Sequence, residues 1–191
     1  MSTTQPIRNR ETLQKYKNYY LHDKPNYRNY VLIITGLNTA LRINDLLHLT
    51  WDMVYNGEQV RDHLTLKERK TGKYSRLLIN AELQTLLTEY RSRYYTGSAN
   101  PYLFYSCRKP DMPLSRYQAY RIIRHAAEAV GLADHISCHS LRKTFGYHAW
   151  KQGTPPALLM SIYNHSSYQI TRRYLCIEQD DKDAVFSTIH L

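Results

Sequence analysis

Apolar residues alternate with a period of two over His63–Lys67, inside the one clear β region of the chain, and on both sides of that region they recur at three and four. Asn56-Gly57 is a strong hairpin turn after Met53–Tyr55. His63–Lys67 places Leu64 and Leu66 on one face, and Lys70-Thr71-Gly72-Lys73 turns the chain into Tyr74–Ile79. These segments predict a three-stranded antiparallel sheet. The helical stretches around it predict a mainly α domain that carries this one small sheet.

The helical reading starts with a loose arm over residues 1 to about 10 and a helix over 11–22. Tyr27–Thr35 comes next as an apolar helix closed by Gly36, then Leu41–Thr50 with Thr39 as its cap. After the sheet, Asn80 caps Ala81–Tyr95, whose stripe is Leu83, Leu86, Leu87, Tyr90 and Tyr94. Pro101, Pro110 and Pro113 mark a loop region. Ser115 then caps Arg116–Val130, and His139–Lys151, Pro156–Tyr163 and Ser167–Leu175 complete the pattern. The expected organisation is an N-terminal arm or helix over 1–24, one domain over 25–178 and a tail over 179–191.

Charge narrows the partners. Lys plus Arg number 26 against 16 acidic residues, a formal charge of +10, spread along the chain and interrupted by aromatics. Such a balance favours a polyanion, because each phosphate contact releases counterions. The 18 tyrosines imply many rings in a half-buried or surface layer with wet hydroxyls. Cys107, Cys138 and Cys176 show no paired spacing and read as reduced thiols of a cytoplasmic protein. No apolar run approaches a membrane span, so no membrane partner is expected.

Four places bear on chemistry, and each alone has a plain structural reading. Arg42 could be a surface arginine paired with Asp45, and Lys70 a solvated turn lysine. His139 and Arg142 lie three apart on one helical face and could be an ordinary helix start. His165 and Tyr174 could be a loop histidine and a core tyrosine. Together they are coherent. Two guanidinium forks can grip the nonbridging oxygens of one phosphodiester. Fixed cations lower the energy of a phosphoryl transition state. A tyrosine hydroxyl can attack in such a pocket, and a lysine on a turn can protonate the leaving oxygen. His135 and His139, with Cys138 between them, lack a fourth zinc ligand at usual spacing, so no metal and no cofactor is expected.

These residues resemble the boxes of the tyrosine recombinase, or phage integrase, family. The first box is similar to Thr35-Gly36-Leu37 followed by Leu41-Arg42-Ile43-Asn44-Asp45-Leu46. The second is similar to His139-x-Leu141-Arg142-x-Thr144-Phe145, and the third to Tyr163-Asn164-His165-Ser166-Ser167 ending at Tyr174. Lys70 falls in the family's Lys-x-Gly turn, and the match spans roughly residues 25–178. The resemblance implies the family's catalytic-domain fold. It also implies a site-specific recombinase that cleaves double-stranded DNA through a 3′-phosphotyrosine link, without metal or ATP. In it Arg42 and Arg142 clamp the phosphate, His139 and His165 assist, Lys70 is the general acid, Tyr174 the nucleophile and Asp45 a supporting acid. It further implies a monomer when free, a tetramer on paired DNA sites, a tail that docks on a neighbouring protomer, and room for accessory DNA-bending proteins. A DNA-binding regulator that has lost cleavage and a DNA-relaxing type IB topoisomerase-like enzyme are the competing readings.

The chain departs from the pattern in three places. Asp45 stands for the common Glu. Asn164 stands for the usual Gly, which a left-handed turn tolerates. Lys143 stands for a frequent His beside Arg142, harmless if it faces outward. The opening Met1-Ser2-Thr3-Thr4 reads as a native start, which makes a naturally short recombinase, similar to the fimbrial-switch invertases, the expected form.

Overall fold

A computed structural model describes residues 4–97 and 100–189. Residues 1–3, most of the expected native start, lie outside the described residues. Ten helices and three short hairpins are assigned among those residues.

The first departure from expectation is at the start of the chain. Thr4 and Ile7 are buried rather than loose. The Ile7 amide donates to Thr144 Oγ1 at 2.9 Å, and the Gln5 amide to the His135 carbonyl at 3.1 Å. Helix α1, Arg10–Asn18, is capped by Asn9 and sinks Tyr16 completely. Tyr16, Tyr90 and Tyr163 are fully buried, and each hydroxyl donates to a carbonyl: Ile123, Leu103 and Arg142 respectively. So not every tyrosine hydroxyl is wet; some close backbone acceptors inside the core.

Helix α2, Tyr27–Thr39, runs through Gly36 instead of closing there. A Cβ at Gly36 would lie 2.6 Å from Leu141 Cδ1, so this glycine serves a close helix crossing. Thr39 does not cap the next helix: its hydroxyl donates back to the Thr35 carbonyl at 2.7 Å, and Ala40, left-handed at φ 50°, ends α2. Two short helices come next, α3, Ile43–Leu47, and α4, Trp51–Val54. Trp51 and Val54, three apart and both buried, make a helical turn where a strand was expected.

The three-stranded sheet is therefore corrected to separate two-stranded hairpins. Only Tyr55–Asn56 remains extended before the Gly57 turn, forming β1 against β2, Gln59–Val60. β3, His63–Lys67, pairs with β4, Tyr74–Leu78, in the register Lys67↔Tyr74 to His63↔Leu78. β5, Tyr105–Ser106, pairs with β6, Lys109–Pro113, in the proline-marked stretch read as loop. Pro110 and Pro113 lack amide donors, which an edge strand tolerates and which hides the strand in the sequence.

α5, Ala81–Tyr94, and α6, Arg116–Ala129, match their sequence reading closely, with Asn80 and Ser115 as caps. α2 packs against α5 and against α7, Cys138–Lys151. α8, Pro156–Tyr163, and α9, Tyr168–Leu175, pack on each other and on the far side of α7. Tyr147, Leu159, Tyr163, Leu175 and Ile177 form a small core of their own there. α10, Glu178–Thr188, lies beyond it with Val185, Phe186 and Ile189 exposed.

Candidate active site

Arg42 is the N-cap of α3, with extended backbone that points its side chain away from the helix. The plain structural reading paired it with Asp45; its partner is Glu68, with Arg42 Nη1 2.7 Å from Glu68 Oε2. Glu68 is 3% exposed and continues the inner face that Leu64 and Leu66 begin. It also accepts from Thr71 Oγ1 at 2.5 Å and from Asn164 Nδ2 at 3.3 Å. Burial pushes its pKa up, but the hydrogen bonds of Thr71 and Arg42, with the charges of Arg42 and Arg142, outweigh this and leave it lowered. One carboxylate thus ties the first box, the lysine turn and the third box together.

Lys70 sits exposed in that turn. It shares a cleft of about 500 Å³ with Arg42, Asp45, Arg69, Arg116 and His139. Asp45, buried, accepts from the Arg69 amide at 2.9 Å and so holds the base of the turn. His139 opens onto the cleft. Partial desolvation, then the charges of Arg116, Lys143, Arg142 and Lys70, lower its pKa from 6.5. A ring kept neutral near pH 7 can donate to or accept from a bound phosphate.

Arg142, one turn further along α7, is 5% exposed. Its guanidinium donates to the Ala40 carbonyl and, at 3.4 Å, to the Ile162 carbonyl, and it lies 4.5 Å over the Tyr163 ring. Burial raises the pKa of the Tyr174 phenol, while the charges of Arg142 and Arg42 pull it back. His165 stacks edge-on against Tyr174 at 5.3 Å, and its Nδ1 lies 3.1 Å from Thr171 Oγ1. Burial and the two arginines lower the pKa of His165 as well. Asn164 before it is left-handed at φ 55°, as the turn requires.

The fold brings all seven expected residues to one region, split between a cleft (Arg42, Asp45, Lys70, His139) and an adjoining phenol pocket (Arg142, His165, Tyr174). Two arginines whose charges reach a phenol can hold an anion beside it. Sequence reasoning missed Glu68 and Arg116. The signal for Glu68 was present: a carboxylate at the third inner-face position of a strand is unusual. Arg116 sits directly after the cap Ser115, and nothing local marks it. Lys143 does not face outward. It is 2% exposed, with Nζ 2.7 Å from the Thr4 carbonyl, 3.4 Å from Cys176 Sγ and 5.3 Å from the Tyr174 ring centroid. The condition for a harmless replacement is not met, because residues 4–7 cover that face of α7.

A sequence model described as the Phage integrase family matches residues 9–180. The protein named "Probable integrase/recombinase YoeC" of Bacillus subtilis (strain 168) is 44% identical over 186 residues, 97% of each chain. "Type 1 fimbriae regulatory protein FimE" of Escherichia coli (strain K12) is 28% identical over 147 residues, 77% of this chain and 73% of its own. Among solved structures, XerA recombinase superposes with a TM-score of 0.75 at 19% identity, over 98% of this chain and 65% of that one. XerH site-specific recombinase bound to palindromic difH substrate superposes at 0.73 and 22% identity, over 98% and 54%. The structural likenesses speak to fold, and the sequence matches to family. The chain belongs to the phage integrase family, a tyrosine-type recombinase with that family's catalytic-domain fold.

Proposed function

We propose that this protein breaks and rejoins double-stranded DNA at specific sites through a covalent Tyr174–3′-phosphate link, without metal or nucleotide. The observation that carries the reading is the half-buried Tyr174 ring packed edge-on against His165 at 5.3 Å, where the charges of Arg142 and Arg42 reach its hydroxyl. A phenol so placed loses its proton where a phosphate held by the same arginines can receive it. Tyr174 Oη attacks phosphorus in line, and the 5′-oxygen leaves with a proton from Lys70. Arg42 and Arg142 hold the nonbridging oxygens, while His139 and His165 hydrogen-bond them. Asp45 holds the lysine turn. Attack by a 5′-hydroxyl on the phosphotyrosine reverses the step and reseals a strand, so no external energy source is needed. In this reading the protein works in the cytoplasm as a free monomer. It assembles as a tetramer on paired sites, with the exposed Val185, Phe186 and Ile189 of α10 as the docking face. Accessory DNA-bending proteins fit the same scheme.

The test uses a nicked duplex selected by the protein from a random-sequence library. The expected result is a covalent protein–DNA adduct formed in chelator, lost in Tyr174→Phe while binding persists. Specific binding with no adduct would make the chain a DNA-binding regulator. Relaxation of plain supercoiled DNA without recombination would make it topoisomerase-like.

A further inference from the structure

The helix that carries Tyr174 ends in a conformation that side chains rarely adopt. Cys176, two residues on, is left-handed at φ 61°, and its amide caps α9 onto the Arg172 and Arg173 carbonyls. A non-glycine residue stays in that region where its surroundings hold it there. Here the holding groups come from elsewhere in the chain. Lys143 Nζ reaches Cys176 Sγ at 3.4 Å and the Thr4 carbonyl at 2.7 Å. Arg8 Nη2 donates to the Cys176 carbonyl at 3.1 Å, and Arg8 Nε lies 3.6 Å from Asp180 on α10. Residues 4–8 are themselves fastened along α7, through the Ile7 amide to Thr144 and the His148 ring to the Ile7 carbonyl at 3.0 Å.

We infer that residues 4–8 form a strap that, through Lys143 and Arg8, positions the Tyr174 helix for attack. Lys143 and Arg8 are positioning residues for the nucleophile. The inference rests on the assignment of Tyr174 as nucleophile. Its geometry is specific. Lys143 touches the strap with its Nζ hydrogen bond, the turn after the nucleophile with its thiol contact, and the nucleophile's ring from within cation–π range. Arg8 grips the carbonyl of that same turn. With either contact gone, the Cys176 turn relaxes toward ordinary backbone and Tyr174 Oη drifts from Arg142. A misplacement of about 1 Å in such a constellation costs up to about 10²-fold in rate.

The test compares Lys143→Met, Arg8→Met and Arg8→Lys on the nicked duplex selected from the random library. The expected result is adduct formation slowed about tenfold or more in both methionine variants, with binding to the same duplex changed less than about twofold. Arg8→Lys, which keeps a donor, recovers most of the loss. Amide exchange should quicken at Cys176 and Ile177 and stay unchanged in α2. A duplex with a 5′-bridging sulfur, whose leaving group needs no proton, should restore Lys70→Ala and leave Lys143→Met slow, because Lys143 acts on the nucleophile side. Restoration of Lys143→Met by that sulfur overturns the proposal, as does normal adduct formation in both methionine variants or an equal loss of binding and cleavage. Should Lys143→Met fail to fold, the Arg8 pair decides alone. A Tyr174→Phe protein that still attaches to DNA overturns the nucleophile assignment and the strap proposal with it.

Discussion

The two sides of α7 are held very differently. Toward α2, Leu141 and Cys138 join a large continuous core that includes Val31 to Ile34, Leu46, Leu47, Leu83, Leu87 and Phe104. Toward α8 and α9, Tyr147 joins just Leu159, Tyr163, Leu175 and Ile177. The first side carries Arg42 and His139; the second carries His165 and Tyr174. Local opening is governed by how much apolar area an element buries, so the small side opens at lower free energy. Arg42 and His139, proposed to grip the phosphate, are thus set on the rigid part and Tyr174, the proposed nucleophile, on the adjustable part, with Arg142 at the seam. Its guanidinium reaches the Ala40 carbonyl on one side and the Ile162 carbonyl on the other.

The largest effect should come from cutting that seam. Lysine cannot span the two carbonyls with a planar fork. Arg142→Lys should lower single-turnover cleavage by about 10² or more, the scale for one lost oxyanion donor. DNA affinity should fall far less, since many other cations contribute. Equal losses in both assays would make Arg142 a general binding residue and erase the distinction between the two sides.

Glu68→Gln comes next. It keeps the shape but removes the charge that pairs with Arg42 at 2.7 Å. Hydrogen bonds to charged groups contribute about 1.5–3 kcal/mol, and a buried site lies at the upper part of that range. A lower denaturation midpoint together with slower cleavage is expected. Unchanged cleavage with lowered stability would confine Glu68 to the rigid side.

Two glycines sharpen the contrast. A Cβ at Gly36 meets the side-chain ends of two leucines, Leu141 Cδ1 at 2.6 Å and Leu46 Cδ2 at 3.2 Å, whereas one at Gly146 meets the Tyr163 hydroxyl, Tyr163 Cζ at 2.8 Å and Leu175 Cδ2 at 2.5 Å. Tyr163 is fully buried and cannot step aside. Overpacking costs about 1–3 kcal/mol, and Gly146→Ala should lie at the high end with Gly36→Ala near the low end. Amide exchange should speed up in α8 and α9 for the first variant and change little there for the second. The same exchange pattern in both would show one cooperative core.

The smallest effect is on pH. His139, His148 and His165 all have pKa values lowered from 6.5, each chiefly by burial. The unfolded chain therefore binds more protons just below 6.5 than the folded one. Stability rises with pH up through that window and levels off above about 6.5. Thermal midpoints should fall on acidification below that point, and His148→Gln should flatten part of the slope. A midpoint that rises on acidification would contradict the assigned directions.

Much of this was legible because it is local. The caps Asn80 and Ser115, the β3–β4 register and the left-handed Asn164 are all set by neighbouring residues. The order of the boxes located Arg42, Lys70, His139, Arg142, His165 and Tyr174, and the fold gathers them. What failed depends on partners far away in sequence. Gly36 reads as a helix stop unless Leu141 is known to press against it. Met53–Tyr55 reads as strand until both Trp51 and Val54 are seen to be buried. The direction of Lys143 could not be read, because nothing near it announces Thr4. The tendency of a proline-rich stretch to loop outweighed its pairing at β5 and β6.

The contact between Lys143 and Thr4 joins positions 139 apart, and that from Arg8 to Cys176 joins positions 168 apart. Chains emerge from the ribosome at about 5–20 residues per second, so residues 4–8 wait on the order of ten seconds for these partners. During that interval the large core around α2 can already consolidate, while the Tyr174 helix has neither been made nor moored. Synthesis order thus builds in a delay, in which the helix carrying the proposed nucleophile is tied down only after a segment made well over a hundred residues earlier has been waiting for it.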